Sequence, residues 1–577
     1  MRRRIGMVLG VSGLAIGLLA PTAADDSGTL GRYDRPQAGF APAWTKLMDA
    51  TPEKAGLDPA PVDRALDAVA GWTEPSGDTH PLYAGAVTLL AHHGKVVTRD
   101  ATGWALRYAD GAGTELPRDQ WIPMRTDTIF DLASVSKLFT SIVVMQQVEA
   151  GRIDLDAPMA SYVPEFAEHG KGAITIRQML THTSGLPAWL PLWRDYPDPE
   201  SRIHAALTAE LAHDPGTTYE YSDLNLIGLG VLVERVTGES LDELVARGTT
   251  RPLHMADTGY NPDPALKPRI AATEFQATPD RGMVHGEVHD ENAWSLGGVA
   301  GHAGVFSTAD DLAILAQALL NGGSYDGRRI LSPDSVDQMI TNFNTDFPGD
   351  AHGLGFELNQ RWYMSGLASP RTAGHTGYTG TSLVIDFPSR SFAILLSNRV
   401  HPSRDWGSNN PARRAVAQAL ALALAVRPKH GPDAWFSGTA DASTVTLDAP
   451  VSVPADGGRL SFSLFVDSEE TDLLFLERST DAGQTWERVP FDVRDRGEVT
   501  HTDGSYTDSG DRRWVEARAP LAAGDQLLRW RYTTDPAYAG RGVYVDGVRV
   551  VSDDTVVLDG EATPEVFTAN GWTLADR

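Results

Sequence analysis

Ser134 and Lys137 are three residues apart in a segment that predicts a helix from Ser134 to Ala150. On a helix, residues at positions i and i+3 lie on the same face, so the Ser134 hydroxyl and the Lys137 amine can meet. A serine hydroxyl becomes an effective nucleophile only when a base removes its proton. A lysine can be that base if burial or a neighbouring cation lowers the pKa of its amine. The pair indicates nucleophilic catalysis, although such a spacing also fits an ordinary helix turn with a solvated lysine.

Two further segments hold polar side chains that could complete an active site. Tyr221-Ser222-Asp223 precedes an apolar segment that predicts a helix over Leu224–Val236. His375-Thr376-Gly377 precedes a predicted strand, Ser382–Asp386. A histidine and glycines on an edge strand would let a substrate backbone lie alongside that strand. Taken singly, the two segments also fit a packing tyrosine and an ordinary hairpin.

In this order, the three segments resemble the motifs of the penicillin-binding and class C β-lactamase-like serine hydrolases, which include D-alanyl-D-alanine carboxypeptidases and esterases. The family motifs are Ser-x-x-Lys, Tyr-x-Asn and Lys/His-Thr-Gly. The resemblance extends over residues 50–425 and includes three further stretches, 180–187, 297–304 and 395–399. It implies an α/β (α+β) fold, in which an antiparallel sheet is flanked by helices and joined by an all-helical lobe. Predicted strands at both ends of this region, with helices between them, favour the same architecture.

The resemblance also implies a role for each residue of the first two motifs. Ser134 would be the acylated nucleophile, and Lys137 would help to deprotonate it. Tyr221 would act first as a base and then as an acid toward the leaving group. The backbone amides of Ser134 and Tyr378 would form an oxyanion hole, since a tetrahedral oxyanion needs two such donors.

The third motif and one departure from the family pattern bear on the substrate. By resemblance, His375 would stand near Tyr221 and the anionic end of the substrate, and Thr376 and Gly377 would line the substrate-binding strand. The family usually has asparagine where this chain has Asp223. An ionised aspartate only accepts hydrogen bonds, whereas asparagine can donate one to an acyl-amide carbonyl. Asp223 therefore weakens the case for an efficient β-lactam or peptidyl substrate and fits an ester or an amine-bearing substrate.

We therefore expect a serine hydrolase that works through a Ser134 acyl-enzyme on an ester or on a D-amino-acid amide or peptide. The substrate would be a small-molecule ester, a peptide or a cell-wall-derived compound. The alternatives are a β-lactamase proper and a catalytically silent penicillin- or cell-wall-binding protein on the same fold. No cofactor or metal is expected at the catalytic site. His285 and His289 have a metal-compatible spacing, but nearby glycines argue against a helix, so a loop beside the cleft is favoured.

The composition disfavours several other classes of protein. The chain has 577 residues, of which 42% are hydrophobic and 22% charged, which is typical of a soluble globular protein with several domains. Its net charge of -27 disfavours binding to nucleic acid or to an anionic membrane surface. The absence of cysteine excludes disulfides, thiol catalysis and zinc–thiolate sites.

The amino-terminal segment has the pattern of an export signal. Residues 1–24 comprise a basic start, an apolar stretch over Ile5–Leu19 and small residues before Asp25. The apolar stretch is shorter than the roughly 20 residues that span a bilayer, so we expect cleavage and a secreted, extracellular protein without membrane contact. Residues 25–46 would form a loosely ordered tail and residues 47–428 the hydrolase domain.

Residues 429–577 predict a separate β-sandwich of jelly-roll type, because short alternating apolar runs replace the helical periodicity there. Ser479–Trp486 resembles a single Asp-box, which predicts a stabilised hairpin. Together with Arg541–Asp546, this region resembles the MAM-like or immune-inhibitor-A-like sandwiches of secreted bacterial peptidases. Some such domains bind carbohydrate or calcium, and a solvated acidic face is the other interpretation. The candidate oxygen ligands for calcium are Glu469, Glu470, Asp472 and Asp546.

Overall fold

The computed structural model describes residues 31–77 and 79–577 of the chain. The predicted signal peptide, residues 1–24, lies outside these ranges. No helix within them is long and apolar enough to cross a membrane. The described chain comprises an α/β body followed by an all-β region.

A mostly antiparallel sheet forms the centre of the α/β body. Its one parallel pair among the described strands lies at an edge, where Met48–Asp49 pairs with Lys95–Leu106. Ile122–Pro123 also pairs with Lys95–Leu106, outside the main strand order. The predicted strand Ser382–Asp386 is confirmed. In spatial order the strands are Met48–Asp49, Lys95–Leu106, Gly85–His92, Ser391–Ser397, Ser382–Asp386, Thr372–Thr376 and Glu357–Leu358.

Helices cover both faces of this sheet, as predicted. Successive side chains of a strand point to opposite faces, so Val87 and Leu89 enter one apolar cluster whereas Ala86 and Leu90 enter another. Pro59–Gly71 and Asn410–Ala423 pack together on the second face. The first face carries the helical lobe, whose helices include Ser136–Glu149, Ile176–Leu180, Pro199–Leu207, Asp223–Thr237, Leu241–Val245 and Ala309–Leu320. Further helices are Leu192–Asp195, Arg251–Leu253, Glu291–Ser295, Pro333–Met339 and Arg361–Met364.

The described part of the predicted tail, residues 31–46, is packed against the body, so the prediction of a loose tail was wrong there. Tyr33 is buried, and its N–H donates to the carbonyl of Ala425 at 2.8 Å. The Ala41 N–H donates to the carbonyl of Leu320 at 2.7 Å. The prediction relied on the glycine, proline and aspartate residues between positions 25 and 42 and overlooked the few apolar residues, such as Tyr33 and Ala41, that anchor the segment.

The carboxy-terminal region consists of two antiparallel sheets that enclose an apolar core containing the fully buried Trp530. This confirms the predicted all-β character. The first sheet has the order Glu498–His501, Asp492–Asp495, Trp514–Leu521, Gly458–Asp467, Gly542–Ser552, Ala434–Phe436 and Thr573–Ala575, with Thr555–Asp559 paired to Gly542–Ser552. The second has the order Glu487–Arg488, Leu473–Ser479, Gly524–Thr533, Thr444–Val453 and Thr568–Asn570, with Ser505–Tyr506 paired to Leu473–Ser479.

The Asp-box-like segment connects the strands Leu473–Ser479 and Glu487–Arg488 as a hairpin. The Asp481 carboxylate accepts hydrogen bonds from the N–H groups of Gln484 and Thr485 at 3.0 and 2.9 Å. The Ser479 hydroxyl donates to the same carboxylate at 2.7 Å. These bonds give backbone N–H groups of the turn an acceptor, and the prediction that this segment stabilises a hairpin is confirmed.

The β-sandwich packs directly on the second face of the α/β body. Its Phe465 and Tyr544 belong to the same apolar cluster as Val416 and Leu420 of the last helix of the body. The two parts of the chain therefore share a hydrophobic core.

A buried polar network crosses the same interface. Arg512 of the sandwich is 1% exposed and donates to the Asp386 carboxylate at 2.6 Å and to the Leu367 carbonyl at 2.5 Å. Arg361 of the body donates to the buried carboxylate of Asp467 at 3.0 Å. Charged groups on both sides are thus removed from water in pairs.

Candidate active site

Ser134 lies on a 3-10 turn, Ala133–Val135, and the helix that follows spans Ser136–Glu149. The predicted helix therefore begins two residues too early. Ala133 has a φ of 46°, in the left-handed region that side-chain-bearing residues seldom adopt. The Asp131 carboxylate holds this backbone by accepting from the Ala133 N–H at 2.9 Å. Such strain is commonly found at functional sites, and here it precedes Ser134.

The Lys137 ammonium contacts side chains of both the first and the second sequence motif. Its Nζ donates to Ser134 Oγ at 2.8 Å and lies 2.7 Å from Asp223 Oδ1. It also lies 4.7 Å from the centre of the Tyr221 ring and donates to the His302 carbonyl at 3.3 Å. The Lys137 side chain is 1% exposed, so these contacts are made away from bulk water.

Asp223 determines the charge of Lys137. Burial lowers the pKa of Lys137, but the Asp223 carboxylate and then Tyr221 outweigh burial, so the pKa is raised above its usual value. The expected route to a lysine base, a lowered pKa, is therefore not available. The aspartate that replaces the usual asparagine is the physical reason. Lys137 is an ammonium in this arrangement.

Tyr221 lies between two buried histidines. Its ring centre is 4.7 Å from that of His182 and 5.9 Å from that of His375. Burial raises the pKa of Tyr221 to about 12, even though Lys137 opposes this shift. Burial also lowers the pKa of His375 to about 3 and that of His182 well below its usual value. Both imidazoles are therefore uncharged near neutral pH.

The third motif forms a partly unpaired strand edge beside Ser134. The outer side of Thr372–Thr376 pairs with Glu357–Leu358 only at Ala373 and Gly374, which leaves the edge open from His375 onward among the described strands. His375 Nδ1 donates to the Thr376 carbonyl at 2.7 Å.

The oxyanion-hole candidates are the backbone N–H of Ser134, on its 3-10 turn, and that of Tyr378, two residues after the strand Thr372–Thr376. In the described part of the chain, the N–H groups of Ser134 and Tyr378 have no acceptor. The Thr379 hydroxyl donates to the Asp131 carbonyl at 2.7 Å, and the Thr381 hydroxyl to the Leu132 carbonyl at 3.0 Å. These two bonds fix the turn after Gly377 to the segment before Ser134.

Two cavities meet at Ser134 and Tyr221. One has a volume of about 410 Å³ and is here named the aspartate cleft; the other, of about 240 Å³, is named the arginine pocket. The aspartate cleft is lined by Ala133, Ser134, Trp189, Tyr221, Asp223, His289, Asp290, Glu291, His302, Ala303, Tyr378 and Arg404. The arginine pocket is lined by Ser134, Tyr221, Glu357, His375, Thr376, Gly377, Tyr378, Arg399, Ser408 and Arg413.

Arg399 and Arg413 are site residues that the sequence analysis missed. Neither lies within salt-bridge distance of a described carboxylate. Arg399 donates to the Tyr378 carbonyl at 2.9 Å, and Arg413 to the Gly377 carbonyl at 2.6 Å. The expected anion partner, His375, is uncharged, so the positive charge of this pocket comes from the two arginines. Arg399 ends a stretch of family-like sequence, 395–399, and this was the available signal.

The residues that were considered as metal ligands do not all lie together in the structure. His285 and His289 lie outside any helix, as predicted, and only His289 lines the aspartate cleft. In the sandwich, carboxylate oxygens of Glu469 and Asp472 lie within 4.8 Å of one another and of Asp535, which the sequence analysis did not select. Asp546 accepts from the N–H groups at positions 429 and 430 instead.

The fold and the assembled side chains are those of a serine hydrolase. The family described as Beta-lactamase matches residues 78–418. A putative D-alanyl-D-alanine carboxypeptidase of Escherichia coli K12 is 33% identical over 402 residues, which cover 63% of this chain and 88% of that protein. Its counterpart in Escherichia coli O157:H7 is 34% identical over the same shares. The chain belongs to the β-lactamase family.

The chain is also similar to solved structures. A penicillin-binding protein homologue from Caulobacter crescentus is 22% identical, with a TM-score of 0.48 and coverage of 62% of this chain and 97% of that one. A family VIII carboxylesterase is 21% identical, with a TM-score of 0.46 and coverage of 66% and 99%.

Proposed function

We propose that this protein is a D,D-carboxypeptidase-like serine hydrolase that acylates Ser134 with D-amino-acid peptides bearing a free carboxy-terminal carboxylate. The observation that carries this proposal is the pair of arginines, Arg399 and Arg413, in the pocket beside Ser134. Arg413 is buried and Arg399 is half-buried, and a guanidinium without a carboxylate partner is suited to bind a carboxylate from the substrate. The names of the curated relatives support the same substrate class.

In the proposed mechanism, Tyr221 is the group that removes the proton from Ser134. Asp223 keeps Lys137 as an ammonium, so Lys137 cannot itself accept the proton. The Lys137 ammonium, 4.7 Å from the centre of the Tyr221 ring, opposes the effect of burial, but the pKa of Tyr221 is still raised to about 12. The reactive phenolate is therefore a minor species, formed when the phenol gives its proton to water. The phenolate takes the hydroxyl proton while Ser134 Oγ forms a bond to the substrate carbonyl carbon.

The remaining steps use the same side chains. The N–H groups of Ser134 and Tyr378 would donate to the oxyanion of the tetrahedral intermediate. As the intermediate collapses, the carbon–nitrogen bond breaks and the Tyr221 phenol protonates the departing amine. Water then attacks the acyl-enzyme, Tyr221 accepts its proton, and Ser134 regains a proton as the acid product leaves.

The test compares a peptide ending in D-Ala-D-Ala with the same peptide amidated at its carboxy terminus. We expect kcat/KM for the free acid to exceed that for the amide by about 10-fold or more. Arg399→Met should reduce this preference by about 10-fold, whereas Arg371→Met, which removes an exposed arginine paired with Asp337, should preserve it. Equal turnover of the two peptides by the wild-type protein would contradict the proposal.

An esterase is the second candidate, and Asp223 favours it. The carboxylate cannot donate to a peptide carbonyl, and an ester needs no such donor. Rapid hydrolysis of a short-chain nitrophenyl ester, with no release of D-alanine, would favour this candidate. Rapid turnover of penicillin would favour a β-lactamase, and stable penicillin labelling without any hydrolysis a silent binding protein.

Glu357 should make substrate binding depend on pH. Burial raises the pKa of Glu357 to about 7, and its carboxyl lies in the arginine pocket near Arg413. Above this pKa, a second negative charge competes with the substrate carboxylate for the arginines, whereas His375 stays uncharged and Lys137 charged. We therefore expect KM for the free-acid peptide to rise about 5-fold between pH 6 and pH 8. Steady-state kinetics should show this rise in the wild-type protein and a flat profile in Glu357→Gln; a rise in both would contradict the assignment.

We further propose that residues 1–24 direct export and are then removed, and that residues 47–428 and 429–577 are the hydrolase and accessory domains. An extracellular D-amino-acid peptide is accessible only to an exported enzyme. Mass spectrometry of protein recovered from the culture medium tests the proposal, because the expected mature chain begins at Asp25.

A further inference from the structure

Tyr221 lies in a segment without regular secondary structure. Residues 218–222 form neither a helix nor a strand, and the helix Asp223–Thr237 begins only after them. The backbone that carries the proposed base is therefore not fixed by an element of regular structure. Proton transfer from Ser134 requires the phenol oxygen at a defined position, so other contacts have to hold this segment.

His182 contacts the backbone on both sides of Tyr221. The carbonyl of His182 accepts a hydrogen bond from the Glu220 N–H at 2.9 Å. Its side-chain Nδ1 accepts one from the Ser222 N–H at 3.0 Å. One residue thus binds the two backbone N–H groups that flank Tyr221. The imidazole also packs against the Tyr221 ring, with 4.7 Å between the ring centres and 32° between the ring planes.

The backbone of His182 has a conformation that is uncommon for a residue with a side chain. Its φ is 57°, in the left-handed region. In this conformation the carbonyl and the imidazole of the same residue both reach the segment that carries Tyr221. His182 follows the helix Ile176–Leu180 by two residues and belongs to the family-like stretch 180–187. Uncommon backbone conformations of this kind are frequent at functional sites.

Neighbouring polar groups fix the state of the His182 ring. Because the Ser222 N–H can only donate, Nδ1 carries the lone pair and Nε2 carries the proton. The Asn225 Nδ2 lies 3.2 Å from the same Nδ1, and the Asn225 Oδ1 accepts from the Ser184 hydroxyl at 2.6 Å. Burial holds the pKa of His182 well below its usual value, so Nδ1 stays unprotonated at neutral pH. The imidazole therefore keeps an acceptor directed at Ser222.

We infer that His182 is a positioning residue for Tyr221, which it holds by the backbone on both sides and by its ring, beside Ser134. The inference rests on the proposed acyl-enzyme mechanism, in which Tyr221 transfers the protons. The described linings of the aspartate cleft and of the arginine pocket include Tyr221 but not His182. His182 therefore acts on the reaction through Tyr221 and not through contact with the substrate.

Displacement of Tyr221 should slow the hydrolysis of an amide more than that of an activated ester. The amine of an amide has to receive a proton from Tyr221 as it departs, whereas nitrophenolate departs without one. The substrate carboxylate binds in the arginine pocket, which His182 does not line, so KM should stay close to its wild-type value. A loss of kcat that is larger for the amide than for the ester therefore identifies a displaced Tyr221.

The experiment compares His182→Leu with His182→Asn. Leucine fills the space without an acceptor, whereas asparagine keeps an acceptor near the position of Nδ1 and tolerates the left-handed backbone. For the peptide ending in D-Ala-D-Ala, we expect His182→Leu to lower kcat about 10²-fold and to change KM less than about 2-fold. For 4-nitrophenyl acetate, kcat should fall by about 10-fold or less. His182→Asn should recover at least about 10-fold of the loss on the peptide.

His92→Leu is the matched control. His92 is 2% exposed, and its Nε2 accepts from a backbone N–H, that of Gly31, at 3.0 Å. Both variants lose a buried imidazole that binds the backbone, but only His182→Leu loses the contacts with Tyr221. We expect His92→Leu to keep the wild-type kcat on both substrates. Equal losses on peptide and ester in His182→Leu, or the same losses in His92→Leu, would overturn the inference.

His182→Gln covers the case in which His182→Leu does not fold. Glutamine is polar like asparagine, but its longer side chain places the acceptor beyond the position of Nδ1. We expect kcat for the peptide to be about 10-fold higher in His182→Asn than in His182→Gln, with a smaller difference for the ester. Equal values for the peptide would contradict the inference.

Fluorophosphonate labelling distinguishes this inference from the proposed function. Slower labelling of Ser134 in His182→Leu than in the wild-type protein supports the positioning role. Wild-type rates of labelling and turnover in a folded His182→Leu protein would reject the positioning role and leave the acyl-enzyme proposal intact. If the wild-type protein hydrolyses no substrate and is not labelled at Ser134, the proposed function is rejected and the inference with it.

Discussion

Replacing Ser134 by alanine is expected to lower kcat/KM at least about 10³-fold and to abolish covalent labelling by a fluorophosphonate probe. The hydroxyl is the only group in the proposed mechanism that forms a bond to the substrate carbon, and no other side chain of the site can substitute for it. Intact-protein mass spectrometry should show a single adduct on the wild-type chain. The same measurement should show none on Ser134→Ala.

The control for this experiment is Ser161→Ala, which removes an exposed hydroxyl far along the chain. Its labelling and turnover should match those of the wild-type protein. Ser134→Ala should also fold normally, because Ser134 is half-buried and its hydroxyl accepts from Lys137 without bridging two elements of the fold. An adduct on a folded Ser134→Ala protein would place the nucleophile at another residue.

Replacing Arg512 by alanine is expected to lower the free energy of unfolding by about 3–5 kcal/mol. The substitution leaves the Asp386 carboxylate, which is 0% exposed, without its charged partner at the centre of the interface. It also removes the donor to the Leu367 carbonyl and the cation above the Tyr33 ring, at 4.4 Å. Urea unfolding followed by tryptophan fluorescence measures the change.

Two further variants distinguish the effect of breaking the buried Arg512–Asp386 pair from the effect of removing any arginine. Arg518→Ala breaks an exposed pair with Glu516 on the same domain and should cost less than about 1 kcal/mol. The double variant Arg512→Met with Asp386→Leu removes both charges, so it should be more stable than Arg512→Ala alone. If Arg512→Ala and Arg518→Ala unfold at the same urea concentration, the interface pair does not contribute as described.

Local sequence patterns were sufficient for much of the fold. Ser382–Asp386 has the predicted bounds, and the helix predicted over Leu224–Val236 extends over Asp223–Thr237, one residue longer at each end. Apolar periodicity and capping residues act within a few positions of one another, which is why they can be read from the chain. The packing of residues 31–46 depends on contacts with residues that lie hundreds of positions further along the chain. No local sequence pattern indicates such contacts.

The same limit applies to the active site. Ser134, Lys137, Tyr221 and His375 could be selected by motif, and the structure brings them together. The charge of Lys137 could not be predicted, because it depends on how closely Asp223 approaches the amine. Likewise His302 lies in the family-like stretch 297–304, but only the folded chain brings it and Asp290 beside Asp223.

The shared core between the sandwich and the α/β body has a consequence for the order of folding. Phe465 and Tyr544 cover the outer face of the last helix of the body, and both are added to the growing chain after that helix. During synthesis or export, the hydrolase part therefore carries an exposed apolar surface until about 120 further residues have followed it. A premature stop anywhere in the sandwich would release a chain with its active-site residues present but its hydrophobic core open to aggregation. The hydrolase part is therefore expected to be stable only when the carboxy-terminal sandwich is complete and covers this surface.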